Sequence, residues 1–152
     1  MQIIKDRNII EDNWQFIADE QPLLPGDCTV TLDRWLTEKE QLLSHGGKVG
    51  VRIESTDNLE KLSSDLALIP LVEINFVIFS DGRAFSKAWL LKNRYHFTGE
   101  IRAVGNFLAD QIFYLSQSGF NAFNFEGNQN LTLALSMLND FSVSYQKPAN
   151  QF

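Results

Sequence analysis

Residues 71–79 restrict the possible folds of this chain most, because apolar side chains fall on both faces of the strand they would form. Successive side chains of a β-strand point to opposite sides. One face would carry Val72, Ile74, Phe76 and Ile78, and the other Leu71, Val77 and Phe79. A strand that is apolar on both faces is typical of a parallel sheet covered by helices, or of a barrel. The segment therefore predicts an α/β fold.

Strand and helix patterns alternate along the rest of the chain. The predicted strands lie at 48–54, 71–79, 100–104 and 122–125. The predicted helices lie at 32–44, 57–69, 85–95 and 107–118, with a last helix from residue 131. This order is typical of βαβ repeats with a mainly parallel sheet. An open doubly wound sheet and a partial (βα) barrel both fit it.

The first thirty residues are expected to form a small β-hairpin and a loop. Two β-prone runs separated by the turn-type residues 11–13 predict the hairpin, and prolines with a glycine predict a connecting loop over 18–30. The hairpin or a second copy of the chain would have to cover the open edges of the sheet, so a homodimer is a reasonable expectation.

The other end of the chain completes a single predicted domain over residues 1–152. Its βα core spans 48–145, and residues 143–145 are expected to add an edge strand. A loose tail is expected over 147–152. Asp57 is expected to cap the helix at 57–69.

Composition excludes several classes of function. The chain has 19 acidic and 13 basic residues, and this net charge of −6 repels nucleic acids and anionic lipids. Cys28 is the only cysteine, and no signal-type segment follows Met1. Because Pro70 and Glu73 interrupt the longest apolar run, no membrane span is expected. We therefore expect a soluble cytoplasmic protein with no nucleic-acid or membrane partner.

The sequence identifies neither a metal site nor a cofactor. His45 and His96 have no acidic or cysteine neighbours at metal-ligand spacing. No spaced-glycine fingerprint of a dinucleotide site follows a predicted strand. We therefore expect no metal, and the cofactor, if any, stays unidentified.

The turns that follow the predicted strands are the places where a ligand would bind, since ligand sites of βα folds lie at the carboxyl ends of parallel strands. The turn at 80–83 is the richest, because Gly82 permits a sharp turn and Arg83 and Ser86 add donors at the start of a helix. Asn106 lies in a second such turn. The alternative is structural: Asp81 caps the helix and Arg83 pairs with a carboxylate.

Glu100 and Arg102 occupy alternate positions of one predicted strand and so point to the same side. If the strand is central, the two charges must pair with other charges or meet a ligand. Glu100 and Arg102 are therefore candidates for direct catalysis. The structural alternative is an ion pair with Arg94, Asp81 or Asp110.

These residues also form a motif that resembles a known family. Its residues are Asp81-Gly82-Arg83, Phe85, Ser86, Ala88, Leu91, Arg94, Phe97, Gly99-Glu100-Ile101-Arg102-Ala103, Gly105, Asp110-Gln111, Gly119-Phe120 and Ala122-Phe123. The motif resembles a bacterial family of unknown function, family 934 of the domains of unknown function, over about residues 48–125. The chain departs from that pattern at Ala84, Trp89, Lys92 and His96.

The resemblance implies a role in assimilatory sulfate and sulfite reduction, because members of the family are typically encoded near sulfite reductase. One hypothesis is an accessory or oxidoreductase-associated protein that docks onto sulfite reductase or another enzyme of the pathway, or binds an oxyanion. The alternative is a small oxidoreductase-like enzyme acting on a sulfur oxyanion or adenylyl sulfate. In that enzyme Arg83, Arg94 and Arg102 would hold the anion, and Asp81 or Glu100 would act as acid or base. In a third, structural reading these charges only stabilise the fold.

Overall fold

A computed structural model describes residues 1–127 and 129–149. Its eight strands are β1 (Gln2–Lys5), β2 (Asn8–Glu11), β3 (Gln15–Phe16), β4 (Cys28–Thr31), β5 (Val49–Ile53), β6 (Leu71–Phe76), β7 (Glu100–Gly105) and β8 (Ala122–Phe125). The helices are α1 (Leu32–Leu43), α2 (Gly82–Asn93), α3 (Ile112–Ser118) and α4 (Leu131–Ala149). Short 3-10 turns lie at Leu59–Leu62, Leu66–Leu68 and Ala109–Gln111. None of the helices described is long and apolar enough to cross a membrane.

All eight strands belong to one curled sheet, in the order β2-β1-β8-β7-β6-β5-β4-β3. Strands β3 to β8 are parallel neighbours in chain order, whereas β1 pairs antiparallel with both β2 and β8. The expected mainly parallel sheet is therefore wrong, since the hairpin joins the βα strands and makes the sheet mixed. The strand order has no reversal point, which a doubly wound sheet requires and a barrel does not.

A three-residue link between β2 and β3 explains why the sheet curls. These two strands form opposite edges of the sheet, yet only residues 12–14 separate them. Eight strands laid flat would place the edges about 34 Å apart at the usual strand spacing. The link can bridge at most about 14 Å between the flanking Cα atoms. The sheet must therefore bend until its edges approach each other.

The predicted N-terminal hairpin is confirmed, but its turn is not where the sequence placed it. The chain reverses at Asp6 and Arg7, both with positive φ angles of 49° and 64°, which two-residue hairpin turns require. Residues 11–13, the expected turn, are the end of β2 and the start of the link. The predicted loop over 18–30 also contains most of β4, whose few residues give too short a pattern to detect.

The structure confirms α1, α2, β5, β7 and β8 close to their predicted positions and corrects the elements between them. The helix expected at 57–69 is replaced by two 3-10 turns. Asp57 does not cap a helix, because its carboxylate accepts a hydrogen bond from the Glu54 amide at 2.7 Å. Asn58 accepts the capping bond from the Glu60 amide instead.

Three further boundaries differ from the sequence predictions. Strand β6 ends at Phe76, so residues 77–79 form a loop in which Val77 and Ile78 are exposed. The helix expected at 107–118 begins as a 3-10 turn and becomes α-helical at Ile112. The edge strand expected at 143–145 is wrong, since α4 includes these residues. The loose tail expected over 147–152 is wrong for residues 147–149, which also belong to α4. Asn128 and residues 150–152 lie outside the described residues.

The two faces of the curled sheet have different chemistry. The outer face packs against the helices through an apolar core that includes Trp35, Val72, Ile74, Phe76 and Ile101. The inner face carries charged side chains, because Glu73 and Arg102 are adjacent partners in the β6–β7 register. The expectation that residues 71–79 are apolar on both sides therefore holds for the outer face only.

Gly105 allows β6 and β7 to stay close where β7 ends. Its φ is +100°, and an added Cβ would overlap the carbonyl oxygen of Phe76 and lie 2.7 Å from the Asn75 side-chain oxygen.

We expect Gly105→Ala to lower the free energy of unfolding, measured in urea, by more than about 2 kcal/mol. The backbone strain of a positive φ angle and the overlap of the new Cβ both destabilise the folded state. Gly46→Ala is the control, since an added Cβ at Gly46 meets no atom within 4 Å. Equal stability of the two variants would contradict this account.

Candidate functional site

Two clusters of charged residues contain the charged residues that the sequence predicted for a site. The first, here called the interior network, lies inside the curled sheet and consists of Lys5, Asp12, Thr29, Arg52, Glu73, Glu100 and Arg102. The second, here called the α2 groove, lies between α2 and residues 57–60. All the predicted site residues except Asn106 belong to one of these two places.

Arg102 is the centre of the interior network and is only 1% exposed. Its guanidinium nitrogens lie 2.6 Å from a Glu100 carboxylate oxygen and 3.0 Å from an Asp12 oxygen. A Glu73 oxygen lies farther away, at 3.9 Å. A buried guanidinium is stable only when carboxylates and hydrogen bonds replace the water that it loses. Asp12 belongs to the link, so Arg102 holds the link against β7.

The other members of the network complete the charge balance. Glu73 accepts hydrogen bonds from the Thr29 hydroxyl at 2.8 Å and from Arg52 Nε at 3.0 Å. Glu100 pairs with Lys5 Nζ at 3.1 Å. Three carboxylates thus face three cations, and every charge in the network has an opposite partner. This arrangement indicates a structural role, with partners different from the Arg94, Asp81 and Asp110 that the sequence suggested.

The two predicted acid–base residues lie at opposite ends of the sheet. Glu100 is the first residue of β7, beside Leu71 at the start of β6, whereas Asp81 follows the loop after β6. The five residues of rise along β6 correspond to about 17 Å. Asp81 and Glu100 therefore cannot act together on one small substrate.

The α2 groove has a volume of about 640 Å³ and brings together four of the predicted site residues: Asp81, Arg83, Ser86 and Arg94. Its basic wall is one flank of α2, because Arg83, Lys87, Leu90 and Arg94 recur at helical spacing. Its opposite wall carries the carboxylates of Asp57 and Glu60. The groove therefore has charges of both signs on facing walls.

Asp81 caps α2 and fixes the position of Arg83. Its carboxylate accepts the Arg83 amide at 3.0 Å and both Nε and Nη2 of the guanidinium at 3.0 Å. These bonds from Arg83, with a smaller contribution from the Ser55 side chain, hold the pKa of Asp81 well below its usual range. Asp81 is therefore a carboxylate at any pH where the protein would act, and it orients Arg83 toward the groove.

Lys87 stands one turn farther along α2, and the sequence analysis missed it. Its ammonium donates a hydrogen bond to the Ser55 carbonyl at 2.8 Å. Burial lowers the pKa of Lys87, and the nearby Arg83 lowers it further, while Asp57 and Asp81 oppose the shift. The pKa of a lysine shifts readily on burial, whereas an arginine stays charged.

Arg94 and Ser86 occupy different roles at the rim of the groove. Arg94 is exposed, and its guanidinium lies 5.7 Å from the centre of the Tyr95 ring. Within residues 1–127 and 129–149, no carboxylate forms an ion pair with Arg94. Ser86 donates its hydroxyl to the Gly82 carbonyl at 3.0 Å and so completes the first turn of α2. Arg94 is thus the cation of the groove that is left for a ligand.

Asn106, the remaining predicted ligand-binding residue, lies outside the groove. Its side-chain amide donates to the Val77 carbonyl at 2.9 Å, which joins the loops after β6 and β7. The part of the chain that the structure describes contains no group of three or more His, Cys, Asp or Glu side chains arranged to hold a metal.

Two residues that the sequence analysis missed, one in the interior network and one in the α2 groove, were within reach of sequence reasoning. Glu73 interrupts an otherwise apolar strand, and a charge at such a position needs a buried partner. Lys87 of the α2 groove could likewise have been found, since it lies four residues after Arg83 on a predicted helix. Asp12 left no signal, because it reaches Arg102 across 90 residues of sequence.

The two arginines should differ sharply in their contribution to stability. We expect Arg102→Ala to lower the free energy of unfolding by about 3–5 kcal/mol, because it leaves buried carboxylates unpaired. Arg83→Ala should leave the urea midpoint close to that of the parent, since water screens this exposed pair. Parallel urea titrations measure both. A structural role for Arg102 would be contradicted if both variants unfolded at the same urea concentration as the parent.

Comparison with known proteins identifies a family but no activity. No curated protein matches the chain, and no solved structure matches it. A family model described as "Bacterial protein of unknown function (DUF934)" matches residues 50–152. The match includes both α2 and β7, and therefore the motif residues of the groove and of the interior network. Since it extends over more than half of the sequence, the chain belongs to this bacterial family.

Proposed function

We propose that this protein is an accessory component of assimilatory sulfate and sulfite reduction that binds a sulfur oxyanion in the α2 groove. The observation that carries the proposal is Arg94, an exposed guanidinium without an ion-pair partner among the described residues, on the same flank of α2 as Arg83 and Lys87. Three cations on one wall offer hydrogen-bond donors to the oxygens of sulfate, sulfite or an adenylyl sulfate.

The local charges favour binding over chemistry in the groove. Asp81 is held as a carboxylate by Arg83, so it is a poor proton donor, and Glu100 lies at the other end of the sheet. The alternative of a small oxidoreductase-like enzyme needs an acid–base pair beside its arginines, which this arrangement does not favour. A protein that holds an oxyanion without converting it fits an accessory role beside sulfite reductase or another enzyme of the pathway.

The acidic wall limits which anions the groove would accept. Asp57 and Glu60 balance part of the charge of Arg83, Lys87 and Arg94, so no large positive field draws in anions in general. Binding would depend on direct hydrogen bonds to correctly placed oxygens. We therefore expect compact oxyanions to be distinguished from chloride at equal ionic strength.

Thermal unfolding with added anions tests the proposal. We expect sulfate, sulfite or adenylyl sulfate to raise the melting temperature in a saturable way, because a ligand that binds the native state stabilises it. Arg94→Gln should weaken this binding about tenfold or more, since a hydrogen bond to a charged group contributes roughly 1.5–3 kcal/mol.

Lys48→Gln is the matched control, because Lys48 is exposed at the amino end of the sheet, far from the groove. It removes the same charge from the protein and should leave sulfate binding unchanged. Two results would overturn the proposal: equal stabilisation by chloride and sulfate at matched ionic strength, or an Arg94→Gln protein that binds like the parent.

The pH dependence of binding should report on Lys87. As the pH rises through the lowered pKa of Lys87, its ammonium loses the proton and the groove loses a positive charge. Sulfate affinity, measured by calorimetry, should therefore fall at a lower pH than an ordinary lysine would require. Lys87→Arg keeps its charge over this range and should remove the fall. The same decline in parent and Lys87→Arg would show that Lys87 does not contact the anion.

A further inference from the structure

The flank of α2 that faces away from the groove is aromatic. Phe85, Trp89 and Lys92 recur at spacings of four and three residues, on the side of α2 that adjoins α3. Phe85 makes an edge-to-face contact with Tyr114 of α3, with ring centres 5.4 Å apart. Trp89 is 55% exposed and Tyr114 is 63% exposed. Two large exposed aromatic side chains on one surface indicate an interaction surface, because Trp and Tyr are concentrated at protein interfaces.

This aromatic surface extends to the loop after β6. Phe79 packs edge-to-face on Phe85, with ring centres 5.3 Å apart, and its neighbour Ile78 is exposed. We name the surface formed by Ile78, Phe79, Phe85, Trp89 and Tyr114 the α2–α3 face. It is continuous from the carboxyl end of β6 to the middle of α2.

A charge of opposite sign lies at each end of the α2–α3 face. Asp110 is exposed in the 3-10 turn that precedes α3, four residues before Tyr114. Lys92 is exposed in the last turn of α2. The two helices run in parallel, since Phe85 lies beside Tyr114 and Lys92 lies beside Gly119 after α3. The face is therefore acidic at one end, aromatic in the middle and basic at the other end.

We propose that the α2–α3 face is the interface of a two-fold symmetric dimer of this chain. A two-fold axis through the aromatic centre makes the α2 helices of the two copies antiparallel. Lys92 of each copy then lies against Asp110 of the second copy, and Trp89 of each copy lies against Phe85 and Tyr114 of the second. A two-fold interface uses the same patch twice, so the patch must be complementary to itself.

The charge pattern selects a second copy as the occupant. Opposite charges at the two ends match an inverted copy of the same face twice, whereas an unrelated partner would require no such symmetry. The exposed apolar side chains of the face and of the adjoining Val77 would bury on the order of 500 Å², more than half of the roughly 800 Å² per partner of a standard interface.

The dimer is independent of the proposed function. The α2 groove lies on the other flank of α2, where Arg83, Lys87 and Arg94 point, and it stays open when the α2–α3 faces meet. A failure of oxyanion binding would therefore leave the dimer untouched. Loss of the dimer should likewise leave the sulfate response of the α2 groove unchanged.

Sedimentation velocity and light scattering on the full chain test the proposal. The parent should sediment as a dimer that dissociates on dilution. We expect Trp89→Asp to raise the dimer dissociation constant by at least about tenfold, because it places a charge at the centre of the interface. Leu24→Asp is the control, since Leu24 is 50% exposed outside the face and its replacement should leave the dimer intact.

Exchanging the charges of Lys92 and Asp110 tests whether the dimer forms through this interface or through another surface. Lys92→Glu and Asp110→Lys should each weaken the dimer, because each puts like charges together at both ends. The double variant restores two opposite pairs with their signs exchanged and should recover the dimer. Circular dichroism and the urea midpoint establish that each variant is folded. A parent that stays monomeric at all concentrations would overturn the proposal, and so would a dimer that tolerates Trp89→Asp or a double variant as weak as the singles.

Discussion

The buried guanidinium of Arg102 is the interaction on which the curled form of the sheet depends. The link from β2 to β3 forces the edges of the sheet together, and Arg102 joins that link to β7 through Asp12 and Glu100. Burial of a single charge would be strongly unfavourable, but three carboxylates and three cations share the interior of the sheet. The network therefore replaces the apolar side chains that usually fill a small barrel. It also joins the hairpin, the link and the βα strands, because Lys5, Asp12 and Glu100 meet through Arg102.

The pairing of charges inside the sheet limits where a ligand can bind. In βα barrels the usual site lies at the carboxyl ends of the strands, with side chains that point toward the axis. Inside the sheet of this protein, Arg102 and Glu73 each have partners of opposite charge, so the interior network leaves no unpaired charge for a ligand. The open site moves outward to the flank of α2, where Arg94 has no ion-pair partner among the described residues. Residues of the family motif thus belong both to the buried interior network and to the exposed α2 groove. Stability measurements test the first, and binding measurements test the second.

The sequence predicted local features well and long-range pairing poorly. The Asp81 cap, α1 after Thr31 and the strands β5 and β8 follow from patterns within a few residues. The sequence also predicted correctly that Glu100 and Arg102 point to the same side of β7, because the alternation of side chains along a strand is a local property. The hairpin beside β8, the partner Asp12 and the grouping of Arg94 with Asp57 are properties of the curled sheet, and no local pattern specifies which distant strands meet. The helix expected at 57–69 failed for a related reason. Its apolar residues have helical spacing, but the Asp57 carboxylate satisfies the Glu54 amide and leaves only 3-10 turns to cover the core.

The helix α2 illustrates how one short element can support two separate interactions. Ala84, Ala88 and Leu91 form its buried stripe, and this stripe divides the exposed surface into two flanks. The charged flank has arginine and lysine at 83, 87 and 94, whereas the aromatic flank has Phe85 and Trp89. Small alanines on the buried side bring α2 close to the sheet, so both flanks are held rigidly by the same packing. Because the flanks point apart, a substitution on one leaves the shape of the other intact. Under the two proposals, each subunit would bind an anion while the subunits associate through the opposite flank, and neither contact would require a conformational change in the other.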